Sequence, residues 1–267
     1  MSLIRIDNAN DSRLDIFRLN ERQLFPRDQR RDPAEQGLFV AEGDLVVERA
    51  FAAGCTPRAL LCSDRFAATL PSLEVDVYVA DAELRREVTG LGVPLDALGV
   101  FMRPALPEAN ELLSVARRVV AFEAVDNPTN IGAVTRSAVA LGWDAMALDW
   151  TSADPFTRRA LRVSMGAAFS LPFCRIEQSR SFVRSLNESG LTTVALTPEP
   201  SATDIREIVG DKSITGGRIA VVLGAERTGL TEESMSRSKY CVRIPMHAGV
   251  DSLNVANAAS IALFALA

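Results

Sequence analysis

The sequence predicts an α/β protein built from two domains. From Gly37 onward, apolar segments of strand length alternate with amphipathic segments of helix length. Beyond residue 117 the apolar segments are continuous rather than alternating, which is typical of strands buried on both faces of a parallel sheet. The 267 residues are enough for two domains that each bury a core.

The N-terminal part predicts a small α/β domain. Its first 35 residues alternate charges and hold five arginines between Arg18 and Arg31, which we interpret as a solvated helix face. From Gly37 the pattern predicts, in order, a strand and a helix within 37–54, a strand at 57–63, a helix at 64–70, a strand at 75–79, a helix at 81–89 and a strand at 97–102.

A proline-containing stretch, RPALPEAN (103–110), separates this domain from the next. Its composition is that of a linker, so we predict a first domain at 1–106, a linker at 107–116 and a second domain at 117–267. In the second domain we expect strands at 117–125, 145–149, 172–176, 191–196, 218–224 and 241–244, and helices at 130–142, 157–164, 179–189, 231–238 and 254–266.

Charge and cysteine usage exclude several classes of protein. A formal net charge of -5 argues against a chain that coats nucleic acid by bulk charge. Four scattered cysteines without a CxxC pair, and a single histidine, His247, predict no metal site and a reducing compartment. The start MSLIRIDNANDSR lacks an apolar signal region and no window of 18 apolar residues occurs, so we expect a cytoplasmic protein without a membrane span.

The first of three polar loops follows the apolar strand at 117–125. Its sequence, DNPTNIGAVTRSA, places Pro128 and Asn130 at the start of a helix and Arg136 six residues after Asn130. Amide donors at a helix N-terminus with an arginine nearby can form a phosphate or ribose site. A capped helix with a surface arginine explains this segment, taken alone, equally well.

The second loop, within VVLGAERTGL, follows the strand at 218–224. Gly224 and Gly229 allow the backbone to approach a ligand closely, and Glu226 could orient a cation or accept a hydrogen bond from a sugar hydroxyl. The loop is not a G-x-G-x-x-G fingerprint and no other segment is one. This argues against a Rossmann dehydrogenase and a Rossmann-type methyltransferase.

The third loop lies in RIPMHAGVDSLNVANAASIALFAL, between the last strand and the last helix. Ser252 or Asn254 can cap that helix, whose small and apolar residues on almost every side predict close burial. We interpret His247 as an incidental loop histidine rather than a catalytic one.

Together, in this order and spacing, the three segments resemble the signature motifs of the SpoU (TrmH-like) branch of the SPOUT methyltransferases. NPTNIGAVTRSA, LGAERTGL and IPMHAGVDSLNVANAASIALF resemble the first, second and third motifs, and RVSMGAAFSLPF (162–173) resembles the segment between the first two. The resemblance covers residues 117–267. It implies a parallel-sheet SPOUT domain with a C-terminal trefoil knot, a rare exception to un-knotted topology, and a homodimer with its active site near the interface.

The resemblance also implies an activity. Members transfer a methyl group from S-adenosylmethionine to a ribose 2′-hydroxyl of transfer or ribosomal RNA. The implied catalytic residues are Asn130, Arg136, Glu226, Ser252 and Asn254. The implied cofactor site comprises Leu223, Gly224, Glu226, Gly229, Ile244, Met246 and Leu253.

The resemblance leaves the role of Arg136 open. It acts either as the base that deprotonates the 2′-hydroxyl or as a clamp on a phosphate that also stabilises the developing alkoxide. Glu226 would orient Arg136 or Asn130.

The N-terminal domain resembles, more loosely, the RNA-binding domain that many family members share with ribosomal proteins. This favours ribosomal RNA slightly over transfer RNA as the substrate. Six arginines between 155 and 184 add a candidate RNA surface, from which we single out Arg158, Arg159 and Arg162; a solvated charged face is the alternative. A non-catalytic, dimeric RNA-binding scaffold is the alternative function.

Overall fold

The computed structural model describes residues 2–26, 37–177, 181–247 and 249–267. The chain divides into two compact units. The first unit consists of Met1–Ala105 with Phe156–Phe169, and the second of Leu106–Pro155 with Ser170–Ala267. The segment 156–169, predicted within the second domain, therefore belongs to the first unit. Part of the arginine-rich N-terminal stretch, at 27–36, lies outside the described residues.

The helices and strands follow the predicted alternation. Within the described residues, the strands are β1 (Ser2–Arg5), β2 (Leu38–Glu42), β3 (Pro57–Cys62), β4 (Asp76–Val79), β5 (Ala97–Met102), β6 (Arg118–Glu123), β7 (Ala145–Leu148), β8 (Phe173–Arg175), β9 (Thr192–Leu196), β10 (Thr203–Asp204), β11 (Ile219–Gly224) and β12 (Tyr240–Arg243). The α-helices within the same residues are α1 (Asp15–Arg18), α2 (Glu21–Leu24), α3 (Asp44–Ala52), α4 (Asp64–Ala67), α5 (Ala82–Thr89), α6 (Ala109–Val115), α7 (Pro128–Ala140), α8 (Arg158–Ser164), α9 (Phe182–Glu188), α10 (Ile205–Val209), α11 (Lys212–Thr215), α12 (Glu232–Arg237) and α13 (Val255–Ala265).

The first unit contains a mixed sheet. Its described strands run in the order β1-β4-β3-β5-β2, with β5 antiparallel to both neighbours and the other pairs parallel. Local signals set the helix ends: the Asp81 side chain caps α5, and Gly90 ends it in the left-handed conformation. Strand β1 was not predicted because its residues are mostly exposed and show no apolar run.

An aromatic cluster explains why residues 156–169 join the first unit. The ring of Phe39, on β2, lies 5.4 Å from Phe101, 5.4 Å from Phe156 and 5.5 Å from Phe169 between ring centroids. Aromatic pairs at such separations add to the stability gained by burying the rings. The position of this segment is thus set by contacts made more than a hundred residues away in sequence.

The second unit is built on a parallel sheet, as predicted. Its described strands run in the order β10-β12-β9-β11-β6-β7-β8, and every pair is parallel. The central strands β6 and β11 are almost entirely buried because their continuous apolar residues are covered on both faces. The carboxyl ends of these strands meet at one edge, where ligands bind in open α/β sheets.

Three parts of the second unit differ from prediction. Helix α6 lies within the predicted linker, where Leu113 is buried in the core of the unit. Strand β10 and helices α10 and α11 lie in a stretch, 197–217, to which no element was assigned. Helix α7 begins at Pro128 rather than Asn130 because Asn127 caps it. In the part of the chain that is described, no helix is both long and apolar enough to cross a bilayer.

Candidate functional site

A cavity of about 750 Å³ opens at the carboxyl edge of β9, β11 and β12. Its size falls within the range typical of small-molecule sites. Apolar side chains form much of its wall, from Leu196, Leu223, Leu230, Met235, Ile244, Met246, Leu253, Val255 and Ala258. Polar and charged residues in the wall include Thr197, Glu199, Glu226, Arg227, Thr228, Glu232, Ser252 and Asn254. The wall is therefore suited to a ligand with one apolar and one polar part.

The structure brings together all the residues proposed for cofactor binding. They come from the ends of β11 and β12 and from the loop before α13, and each lines the cavity: Leu223, Gly224, Glu226, Gly229, Ile244, Met246 and Leu253. Ser252 and Asn254, proposed as catalytic residues, line it as well. Asn130, Arg136 and His247 are not part of the described wall.

The glycine loop, residues 225–230, forms one side of the cavity between β11 and α12. It folds back on itself, since Ala225 and Gly229 form a β-bridge and Gly229 has a φ of 68°. A Cβ on Gly224 would lie 2.4 Å from the Gly229 carbonyl carbon and 2.4 Å from the Leu230 nitrogen. Only glycine at 224 therefore permits this closely folded loop.

Two asparagines connect the start of α7 with the start of α13. The Asn254 side-chain oxygen caps α13 by accepting from the Ala256 N–H at 2.9 Å, while its Nδ2 donates to Asn130 Oδ1 at 3.2 Å. Of the two caps the sequence allowed, Asn254 is thus the one used. Asn130 is 4% exposed, and its own Nδ2 has no hydrogen-bond partner within the described part of the chain. A buried, unpaired donor next to a cavity residue is a feature that a bound ligand can satisfy.

Among the described residues, Glu226 makes no hydrogen bond or ion pair with Arg136 or Asn130, the two residues it was expected to orient. Its Oε1 accepts a hydrogen bond from Asn127 Nδ2 at 3.4 Å. Asn127 also caps α7, because its Oδ1 accepts from the Thr129 N–H at 2.9 Å. Glu226 is consequently hydrogen-bonded to the residue that begins α7 rather than to Arg136, which lies about two turns further along the helix.

Arg136 is exposed on α7, on a different side from the buried Asn130. Arg227 is exposed on the glycine loop, at the cavity. Neither guanidinium makes a hydrogen bond or ion pair with the described residues. Arg227 was not singled out from the sequence, although it stands between Glu226 and Gly229 in a motif that was.

The arginines proposed as RNA contacts are placed differently. Within the first unit, Arg158 Nη1 and Arg162 Nη1 lie 3.1 Å and 2.5 Å from the carboxylate oxygens of the buried Glu42. Arg158 Nη2 also donates to the carbonyl oxygens of Phe17 and Leu19, both at 2.8 Å. The structure therefore gives Arg158 and Arg162 internal partners in place of the free surface that was expected.

The other arginines predicted to form a basic surface also have interaction partners, as far as they lie within the described residues. In the second unit, Arg175 donates to the backbone oxygens of Asp149 and Ser152 and lies 3.5 Å from Asp154. Arg184 pairs with Glu188, which raises the pKa of its guanidinium through a side-chain hydrogen bond. Arg159 has an interaction of its own, and Arg180 lies outside the described residues.

The charge of the cavity wall is acidic. Among its described residues, Glu199, Glu226 and Glu232 carry negative charge and Arg227 carries positive charge. Clefts lined by one sign of charge concentrate ligands of the opposite sign. No group of three or more metal-binding side chains occurs in the described part of the chain. The charge of the wall therefore favours a ligand with net positive charge.

Fold and cavity together define an α/β protein with a cavity of small-molecule size at the carboxyl edge of a parallel sheet. Residues 117–264 match the model of the SpoU rRNA Methylase family. The chain is 37% identical over 262 residues to an uncharacterized tRNA/rRNA methyltransferase of Mycobacterium bovis, which covers 96% of this chain and 89% of that protein. The chain belongs to the SpoU rRNA methylase family.

Two further relatives extend the comparison. A 23S rRNA (guanosine(2553)-2′-O)-methyltransferase of Bacillus subtilis, RlmP, is 28% identical over 240 residues, or 89% of this chain and 91% of that protein. The crystal structure of an AdoMet-bound rRNA methyltransferase from Sinorhizobium meliloti superposes with a TM-score of 0.80 at 24% identity, covering 99% of this chain and 97% of that one. The structural likeness confirms the predicted α/β fold class.

Proposed function

We propose that this protein transfers a methyl group from S-adenosylmethionine to a ribose 2′-hydroxyl of RNA, with ribosomal RNA the favoured substrate. The observation that carries the proposal is the cavity, because residues of the second and third motifs line it and the first motif is linked to its wall through Asn254. Relatives named as RNA methyltransferases support the general activity. The 2′-hydroxyl as acceptor is supported by the named activity of the Bacillus relative.

The lining of the cavity suits the proposed cofactor in polarity and charge. Apolar residues such as Leu223, Ile244 and Met246 offer a surface for the adenine ring, and the polar residues on the wall suit the ribose and amino-acid parts. The cofactor carries a positive sulfonium and a positive ammonium against one carboxylate, so an acidic wall favours its binding. When bound, it supplies the electrophilic methyl group.

The polar residues of the first and third motifs would position the accepting ribose. The unpaired Nδ2 of Asn130 can donate to a ribose or phosphate oxygen, which would satisfy a buried donor that otherwise costs about 1–3 kcal/mol. Asn254 holds Asn130 in place through the 3.2 Å hydrogen bond. Much of the lowering of the activation barrier in such a transfer comes from aligning the methyl group with the accepting oxygen, since proximity alone can contribute roughly 7–11 kcal/mol.

Arg136 has a guanidinium available for substrate. As a guanidinium it can pair with an RNA phosphate and stabilise the charge that develops on the ribose oxygen. To act as the base it must first release a proton to solvent, after which it can receive the hydroxyl proton. Both roles require it to contact the ribose. Because Arg136 lies outside the described cavity wall of its own chain, we propose that the active site is shared between two copies. We also propose that the second unit forms the C-terminal trefoil knot and that the protein is a homodimer, as the family resemblance predicts.

An apolar face on α13 supports the homodimer. Ile261 and Phe264 are 42% and 74% exposed, and with Asn257 they form one face of the helix. Helix α13 packs against α7, and Ser260 Oγ lies 2.9 Å from Ser137 Oγ, one residue from Arg136. A second copy seated on this face would cover the two large side chains and approach Arg136.

The direct test is transfer of tritium from labelled S-adenosylmethionine to total ribosomal and transfer RNA from a strain that lacks the gene. We expect label in RNA, recovered as a 2′-O-methyl nucleoside after nuclease digestion. Calorimetry run in parallel reports cofactor binding. Cofactor binding without label in any RNA would leave the non-catalytic scaffold as the better description.

A complementation experiment tests the shared site. Arg136→Ala and Glu226→Ala are each expected to abolish transfer. If each site uses Arg136 of one copy and Glu226 of the other, mixed dimers contain one intact site, and random mixing restores about a quarter of wild-type activity. No recovery in dimers shown to exchange subunits would place both residues in one chain's site.

A further inference from the structure

Glu123 is a buried carboxylate at the end of β6, close to the glycine loop. It is 9% exposed. Its Oε1 accepts hydrogen bonds from Thr231 Oγ1 at 2.9 Å and Ser234 Oγ at 2.6 Å, and its Oε2 accepts from the Thr231 N–H at 3.2 Å. No cation pairs with it in the described part of the chain. All of its described partners therefore lie at the start of α12.

The backbone of Glu123 holds the other end of the same loop. In the parallel pairing of β6 with β11, Glu123 is in register with Gly224. Gly224 precedes the glycine loop and Thr231 follows it, so this one residue fixes the loop at both ends. Thr231 in turn caps α12, because its Oγ1 accepts from the Ser234 N–H at 3.1 Å.

The loop between these two attachment points is part of the cavity. Every residue from Gly224 to Leu230 lines it. A buried carboxylate that lacks a cation carries a desolvation cost, whereas an apolar side chain would fill the same space without that cost. The three hydrogen bonds to Thr231 and Ser234 offset this cost, and they form only while the end of the loop and the start of α12 are in this position.

We infer that Glu123 is a positioning residue that holds the glycine loop in the shape that binds the cofactor. It acts through Thr231 and Ser234 and does not itself line the cavity. The inference rests on the proposed function, since it takes S-adenosylmethionine as the ligand of the cavity. Its consequence is that cofactor affinity depends on a side chain outside the binding surface.

The test compares Glu123→Gln with Glu233→Gln in the full chain. Glu233 lies on α12, outside the described cavity wall, and its hydrogen bonds go to Ser181 and Arg237, so it is a matched control for loss of one charge. Isothermal titration with S-adenosylmethionine gives both the affinity and the fraction of active sites. We expect Glu123→Gln to weaken binding at least about tenfold, at unchanged stoichiometry, because an amide cannot accept at both positions.

The binding stoichiometry distinguishes a displaced glycine loop from a partly unfolded variant. A variant that merely unfolds in part would bind fewer equivalents at wild-type affinity, whereas a displaced loop binds a full equivalent more weakly. Transfer measured at saturating cofactor is expected to stay within about threefold of wild type, while the KM for the cofactor rises with its Kd.

Ser234→Ala provides a second variant that keeps the carboxylate and the cap. We expect it to weaken cofactor binding less than Glu123→Gln, because the carboxylate keeps its two hydrogen bonds to Thr231. Equal affinities for wild type, Glu123→Gln and Glu233→Gln would overturn the inference and leave the proposed function intact. A wild-type protein that fails to bind S-adenosylmethionine would overturn both.

Discussion

Replacing Gly224 by alanine tests how tightly the glycine loop is folded. The added Cβ would lie 2.4 Å from two backbone atoms, the Gly229 carbon and the Leu230 nitrogen, where ordinary contact begins at 3.4 Å. The loop must therefore withdraw by about 1 Å, and backbone cannot rotate aside as a flexible side chain does. Overpacking of this kind costs about 1–3 kcal/mol.

Thermal unfolding and cofactor titration measure this cost. For a unit of this size, each kcal/mol lowers Tm by roughly 2–4 °C. Cofactor binding should weaken as well, because the displaced residues line the cavity. Gly210→Ala is the matched control: Gly210 has a φ of -81°, and nothing lies within 4 Å of the position that its Cβ would take, so the Tm of this variant should be unchanged or slightly raised.

Comparing Gly224→Ala with Gly210→Ala tests whether the glycine loop requires glycine at position 224. If Gly224→Ala unfolds at the same temperature as Gly210→Ala and binds the cofactor equally well, the glycine loop can accommodate a Cβ at 224, and the steric argument is wrong. Close packing against Gly229 and Leu230 would then not explain why residue 224 is a glycine, nor why the loop folds as closely as it does.

Asn254→Ser keeps a capping oxygen but removes the donor to Asn130. The free energy of unfolding measured in urea should therefore fall by about 1–3 kcal/mol. An unchanged urea midpoint would contradict a stabilising hydrogen bond between Asn254 and Asn130. Glu42→Gln removes the buried charge that two arginines share and should destabilise the first unit by about 3–5 kcal/mol in thermal unfolding; a loss below about 1 kcal/mol would show the pairs to be dispensable. Burial raises the pKa of Cys62 to about 11 and of Cys174 to about 12, so at pH 8 both thiols stay protonated. Mass spectrometry should find both unmodified after iodoacetamide treatment of the native protein and modified after denaturation; native labelling of either would refute their burial.

The sequence was sufficient for features governed by local chemistry. Continuous apolar runs identified the strands of the second unit, since burial on both faces leaves no room for alternation. Polar loops after the strands at 218–224 and 241–244 indicated the edge of the sheet at which the cavity lies, because parallel strands bring their carboxyl ends to one edge. The individual wall residues came from the family resemblance, and the wall residues that follow β9 were not predicted. The start of α7 was missed by two residues because the Asn127 cap precedes the proline.

Features governed by distant partners could not be predicted. The charge run containing Arg158 and Arg162 suggested an RNA surface, but the carboxylate that neutralises part of it, Glu42, lies more than a hundred residues earlier. Glu123 gave no signal, since the hydroxyl donors that satisfy it belong to a helix 108 residues further along the chain. A single sequence shows which groups are charged and not which partners they meet.

The assignment of residues 156–169 to the first unit has a practical meaning for protein engineering. The chain passes from one unit to the other at 105, 155 and 169, so the two are not consecutive modules that a single cut separates. A fragment beginning at residue 107 would retain Phe156 and Phe169 without the Phe39 ring that both contact. A chimaera that exchanges the first unit between relatives must therefore transplant two pieces of sequence, 1–105 and 156–169, from the same parent.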